Sequence, residues 1–130
     1  MMRILIPIHT VSEPNLREHW RKRANRTRNQ RTATRAIVHA QLYREKIVTG
    51  KKPLIISLTR IAPRALDSDN LAGSFKAVRD GIADALGTDD GSPLLEWRYG
   101  QEKGGPRQYA VCIEITTKYY YVPNDDETTQ

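Results

Sequence analysis

The 130-residue chain has a single cysteine, Cys112. It therefore forms no intramolecular disulfide and no thiolate zinc cluster, and Cys112 reads as a small buried hydrophobe. Long apolar runs are missing too. The N-terminal run from Ile4 to Ile8 is interrupted by Pro7. It is too short to cross a membrane and lacks the layout of a signal peptide, so the expectation is a cytoplasmic protein without a membrane partner. His9, His19 and His39 have no ligand spacing relative to one another. No Ser/His/Asp nucleophile arrangement, Gly-rich phosphate loop or internal repeat is evident. Acid is scarce between Asn15 and Arg35, where eight Lys or Arg residues accompany Glu18 alone.

What is present is a folded, basic chain. A hydrophobic content of 38% in periodic segments argues against disorder, and the length suits one domain with one core. The net charge of +6 and a pI near 9.7 favour a polyanionic partner, nucleic acid ahead of membrane.

Periodicity predicts a strand over Met2–Ile8, with Ile4, Ile6 and Ile8 on one face. After a turn, Asn15 is placed to cap a helix, with Glu18 completing a box-like cap. That helix is predicted to run to about Val48, where Thr49-Gly50 stops it. Leu54–Arg60 alternates as a second strand, followed by a Pro-containing turn. A second helix is expected from about Asp69 to Leu86, ended by Gly87, and then a polar loop over 88–93. Leu94–Gln101 and Tyr109–Thr117 read as two further strands, joined by a hairpin-like connector over 102–106. Leu95, Trp97 and Tyr99 share one face of the first. The expected architecture is an α/β (α+β) domain with a small mixed four-stranded sheet and two main helices, covering residues 1–123. A flexible acidic tail, 124–130, is expected to follow.

The chemistry concentrates in Leu66-Asp67-Ser68-Asp69-Asn70-Leu71 and in Thr88-Asp89-Asp90-Gly91-Ser92. On a helical wheel Leu71, Phe75, Val78, Ile82 and Leu86 fall within about 80° and must face the core. Asp69, Lys76, Asp80 and Asp84 fall within about 80° on the opposite side. Asp67 and Asp69 flank Ser68, so in an extended segment both side chains point the same way. Paired oxygen ligands suit Mg²⁺, with Mn²⁺ as a substitute, and Asp89 or Asp90 can return to the same place through the loop. Lys76 is placed to stabilise developing negative charge. The plainer readings are a helix cap for the early acids, a solvated face for Asp80 and Asp84, and turn chemistry for Asp89-Asp90. An EF-hand is excluded, because Leu71, Ala72 and Val78 occupy its fifth, sixth and twelfth positions.

In the first helix, Arg17, Arg21, Arg28, Arg31 and Arg35 fall within about 80°, with Ala33, Ala36, Ile37 and Ala40 roughly opposite. Such a stripe suits a DNA phosphate backbone; the alternative is a solvated charged face. Trp20, within the same basic segment, is a candidate for base stacking, for an interior position or for a dimer contact.

With these residues in view, the chain resembles the RusA-type Holliday junction resolvases, small endodeoxyribonucleases common in prophages. The likeness runs from about Ile4 to Ile115. It is carried by LDSDNL at 66–71, FKAVRDGIADALG at 75–87 and TDDGS at 88–92, with SEPNLREHWRKR at 12–23 and EWRYGQEKGG at 96–105 in support. The resemblance implies a Mg²⁺-dependent homodimer in a bacterial or phage-infected cell, cutting a four-way DNA junction by paired symmetric nicks in recombination and repair. It implies Asp67, Asp69 and Asp90 as metal ligands, Lys76 as the essential lysine and Asp80 as support, while Asp89 remains the alternative to Asp90. In the better known members the lysine follows the Asp-Asn pair more closely. Here it comes about one helical turn later, and Gly73, one turn earlier, is not lysine. Two other readings stand beside this one: a catalytically inactive junction-binding protein, and a flap or branch nuclease of different substrate preference.

Overall fold

A computed structural model describes residues 2–12, 19–47 and 52–118. It is a mixed α+β fold in which three helices lie against a four-stranded mixed sheet. The strands are β1 (Met2–Ile6), β2 (Leu54–Ala62), β3 (Leu95–Lys103) and β4 (Ala110–Thr117). The helices are α1 (Trp20–Arg44), α2 (Ser68–Ser74) and α3 (Lys76–Leu86). Among the described residues no helix is long and apolar enough to cross a membrane.

Alternation within each strand puts one row of side chains toward the helices. Three rows run across the sheet: Met2–Ile115–Ile56–Trp97, Ile4–Ile113–Leu58–Tyr99 and Ile6–Val111–Arg60–Gln101. Phe75, Val78 and Ile82 from the second helical region and Val38 and Leu42 from α1 complete the core. Cys112 is buried, as its composition suggested, and its Sγ accepts a hydrogen bond from Arg3 Nε at 3.4 Å.

Four expectations need correction. The connector after β3 does not make a hairpin. The sheet order is β1-β4-β2-β3, so β2 lies between the two last strands, parallel to β3 and antiparallel to β4. The loop passes over the end of β2, where the Gly104 N–H donates to Ala62 O at 2.8 Å. Alternation records which face a residue takes and is silent about which strand lies beside it.

The predicted second helix is two helices. Ser74 Oγ donates to Leu71 O at 2.7 Å, occupying the carbonyl that the Phe75 N–H would use in a continuous helix. That N–H turns instead to Ala72 O at 3.2 Å, with Phe75 at φ −92°, ψ 2°. Phe75 stays fully buried, which is why periodicity passes through the break unaltered.

The ends and the buried face of α1 also differ. Its N-cap is His19, whose Nδ1 accepts from the Arg21 N–H at 3.1 Å; Asn15, Arg17 and Glu18 lie outside the described residues. It ends at Arg44 rather than near Val48, with Lys46 at φ 53° and the Ile47 N–H on Leu42 O. After Leu42 the next position within the arc of the buried stripe is Glu45, about 20° from Val38 on the wheel, so further helix would turn a carboxylate toward the core. That stripe is Thr34, Val38 and Leu42. Of Ala33, Ala36, Ile37 and Ala40, only Ile37 packs on the core, while the three alanines are exposed.

Candidate active site

The loop between β2 and α2 carries the first acids, and its shape is set by hydrogen bonds from three directions. Asp67 is the N-cap of α2. Its Oδ1 accepts from the Asn70 N–H at 2.9 Å and its Oδ2 from Asn70 Nδ2 at 3.0 Å. Asn70 Oδ1 in turn accepts from Ser12 Oγ at 2.9 Å. Gln101 of β3 clamps the backbone of Leu66, accepting its N–H at 3.0 Å and donating to its carbonyl at 2.7 Å. Arg60, only 7% exposed, donates to Arg64 O at 2.7 Å and also to Thr10 Oγ1 and O. Its acceptors are all neutral, and burial pushes the guanidinium below its ordinary pKa. Asp69, one residue into α2, is exposed and has no hydrogen bond or ion pair among the described residues.

The second half of the site gathers around Lys76. Its Nζ lies 3.0 Å from Asp80 Oδ1, one turn on, and 2.9 Å from Asp90 Oδ2, which returns through the loop after α3. That return begins with the left-handed Gly87 (φ 73°), where the Gly87 and Thr88 N–H groups close on Asp84 O and Ala83 O. Arg79 Nη2 also reaches Asp90 Oδ2, at 3.0 Å, while its guanidinium sits 5.1 Å from the centre of the Trp97 ring. Trp97 Nε1 donates to the Asp90 carbonyl at 2.9 Å, which fixes the acid's backbone. The two neighbouring acids thus have different fates. The Asp90 side chain is 13% exposed and faces two cations. Asp89 is exposed and accepts from the Gly91 N–H of its own turn.

Alternate residues of β3 organise these parts. Trp97 fastens Asp90, Tyr99 stacks on Phe75 with ring centres 5.6 Å apart, and Gln101 fastens Leu66. Four residues of strand separate the outer two anchors by about 13 Å, so the early and late acids are tied to opposite ends of one short strip. Burial raises the Tyr99 hydroxyl pKa, which keeps the middle of the strip neutral. The shared face of Leu95, Trp97 and Tyr99 was readable in the sequence. Arg60, Arg79 and Gln101 were missed as parts of the site, though Gln101 is the next alternate position after Tyr99.

The oxygen donors suit a hard divalent cation in kind: Asp69 has no hydrogen bond or ion pair among the described residues, and Lys76 and Arg79 meet Asp90 through Oδ2 rather than Oδ1. In this arrangement, however, no three His, Cys, Asp or Glu side chains converge among the described residues. Asp67 spends both oxygens on Asn70, and Asp90 turns Oδ2 to Lys76 and Arg79. The break at Phe75 also removes the wheel argument that set Asp69 and Lys76 on one continuous helical face.

No protein-family model matches the chain. An uncharacterized protein of Xylella fastidiosa (strain Temecula1 / ATCC 700964) is 37% identical over 92 residues, which are 64% of this chain and 58% of that protein. The chain therefore matches somewhat more than half the length of that relative.

The arginines of α1 divide into two groups. Arg31 meets α3, with Nε 2.7 Å and Nη2 2.9 Å from the two oxygens of Asp84 and Nη1 3.8 Å from Asp80. On the wheel it lies about 20° from Val38, within the arc of the buried stripe and about one turn before Thr34, which explains its turn toward the neighbouring helix. Arg21, Arg28 and Arg35 form no ion pair among the described residues. Lys22, Arg26, Asn29 and Gln30 line a hollow of about 490 Å³ between this helix and residues 7–11.

Charge pairing gives the domain an expected acid sensitivity. Lys76 holds the Asp90 carboxyl below the usual carboxylate range, and Arg31 does the same for Asp84. A carboxyl depressed in the folded state contributes stability above its unfolded pKa and loses it as pH falls through the folded value. The Lys76 ammonium, raised chiefly by its hydrogen bond to Asp90, contributes below the ordinary lysine range and loses that contribution only in alkali. The melting temperature should therefore lose this contribution below roughly pH 4 and keep it across neutrality. Melts of the wild type and of Asp84→Asn/Asp90→Asn over an acid series check this. The double variant should show a shallower acid decline, and equal slopes would dismiss the pairs as its source.

Proposed function

We propose that the chain is a RusA-type, divalent-metal-dependent endodeoxyribonuclease that resolves four-way DNA junctions as a homodimer. The observation that carries this reading is the approach of Asp90 to Lys76 at 2.9 Å across the loop after α3. It joins the late acid to the lysine in the order that the sequence likeness implies. Asp67, Asp69 and Asp90 are the ligands the likeness implies for Mg²⁺, and holding one ion together would require Asp67 to turn from Asn70 and the early and late acids to draw together. The ion would supply an activated water and offset charge on the phosphoryl group. Lys76 and Arg79 both present positive charge at Asp90. Lys76 Nζ remains protonated at neutral pH and is a donor for a phosphoryl oxygen as charge develops. Arg21, Arg28 and Arg35 are available for phosphates of the DNA arms. A two-fold dimer on a two-fold junction places one site at each of two strands.

A second reading has its own observation. Asp67 is engaged as a helix cap, with one hydrogen bond from Asn70 on each oxygen, as befits a junction-binding protein that does not cut. Asp69→Asn decides between the two. The wild type should cleave a four-way junction with Mg²⁺ or Mn²⁺, and the variant should bind the junction without cleaving it. A wild type that binds and never cuts favours the inactive protein. A variant that cuts at the normal rate removes Asp69 from the metal site. Flaps, forks and plain duplex in the same assay separate a resolvase from a nuclease of different preference.

A further inference from the structure

Trp20 opens α1 and is 65% exposed, so the interior position open to it from sequence is not the one it takes. The His19 ring lies 5.6 Å away, tilted by 30°, and the Arg21 guanidinium sits 5.3 Å from the indole centre. From Trp20 to Arg44 the helix contains no Asp or Glu. Neither Arg21 nor Lys22 has a carboxylate partner among the described residues. An exposed indole presents a flat, apolar and aromatic face that is matched by surfaces of the same kind. With Arg21 and Lys22 following it directly and no acid anywhere in the helix it opens, the surface it complements is both aromatic and anionic. Nucleobases on a phosphate backbone have that combination, and stacking on them does not depend on base identity. Paired bases inside a duplex offer no free face, whereas bases at a branch point or in a single strand do.

We propose that Trp20, flanked by His19 and Arg21, is a stacking platform for an unpaired nucleobase. This rests on the nucleic-acid reading above and sharpens it, since it distinguishes branched or single-stranded DNA from plain duplex. A second copy of the chain is the competing occupant, and Tyr43 is an internal control. Tyr43 is more exposed still, at 82%, but lies at the far end of the same helix beside Glu45.

The chain has two tryptophans, and Trp97 is held against Arg79 and Asp90, so the quenching that is lost in Trp20→Phe reports Trp20 and what remains reports Trp97. The experiment titrates wild type, Trp20→Ala, Trp20→Phe and Tyr43→Ala with a short oligothymidylate and with a duplex of equal length at one salt concentration. Sedimentation of each protein is measured alongside. Wild-type fluorescence should be quenched by the oligothymidylate. Trp20→Ala should lose roughly 5- to 100-fold in single-strand affinity, the scale of one base–aromatic stack, with duplex affinity unchanged. Trp20→Phe should recover most of the loss, and Tyr43→Ala should behave as wild type. Single-strand affinity unaffected by Trp20→Ala overturns the platform and leaves the nucleic-acid reading standing. A change of oligomeric state in Trp20→Ala assigns the indole to a second copy and overturns it as well. Failure of the wild type to bind either DNA overturns both.

Discussion

Asp90→Asn should lower junction cleavage by roughly a hundred- to a thousand-fold, the scale for removing one preorganised electrostatic group from a reaction centre. Asp89→Asn should leave cleavage at the wild-type rate. The two acids are adjacent in sequence and chemically identical, so the contrast tests geometry alone. Asp90 faces Lys76 and Arg79 at 2.9 and 3.0 Å, and the Trp97 indole holds its backbone. Asp89 points into its own turn. Because Asn is nearly isosteric, the Trp97 Nε1 bond to the main chain survives the substitution. Junction affinity should hold or rise with one negative charge fewer at the surface that meets phosphate. Gel-based cleavage and binding titrations of the two variants, with a melt of each, provide the check. Equal losses in both, or a larger loss in Asp89→Asn, would sink the assignment.

Sequence legibility was uneven for physical reasons. Strand positions and their inward faces were readable in β1, β2 and β4, because alternation encodes burial directly. Strand neighbours were not, since Leu54 to Ala62 carries no mark that it will separate β3 from β4. The helix over 68–86 was readable as a buried stripe. Its interruption was not, because one Ser74 hydroxyl captures one carbonyl while Phe75 keeps its place in the core. The site shows the same division. Residue types and order pointed to Asp67, Asp69, Lys76 and the late acids, but the pairing of Lys76 with Asp90 depends on where Trp97 anchors the loop. Arg31 read as one more phosphate contact. Its position beside Val38 on the wheel, legible only once the buried stripe of α1 is known, turns it to Asp84 instead.

Gly81→Ala is expected to destabilise the domain by about 1–3 kcal/mol, the range for overpacking. A Cβ at this position would sit 2.6 Å from Arg31 O and 2.8 Å from Thr34 Cβ. The nearer obstacle is the backbone of α1, so relief requires moving a helix rather than turning a side chain. Thr34 is itself fully buried and Arg31 is bonded to Asp84, which leaves that segment little freedom to retreat. Helix propensity alone predicts the opposite sign, since Ala is favoured over Gly in a helix interior by up to about 1 kcal/mol. Gly73→Ala in α2 isolates that term. Nothing lies within 4 Å of the Cβ it would introduce, and its φ is not in the left-handed region. It should therefore stabilise the domain by roughly 0.5–1 kcal/mol. Denaturant melts of the two variants against wild type measure the contrast. If Gly81→Ala is as stable as Gly73→Ala, then α1 and α3 do not approach through this residue. The path that brings Arg31 to Asp80 and Asp84, and fixes the helix that Lys76 opens, would then need another origin.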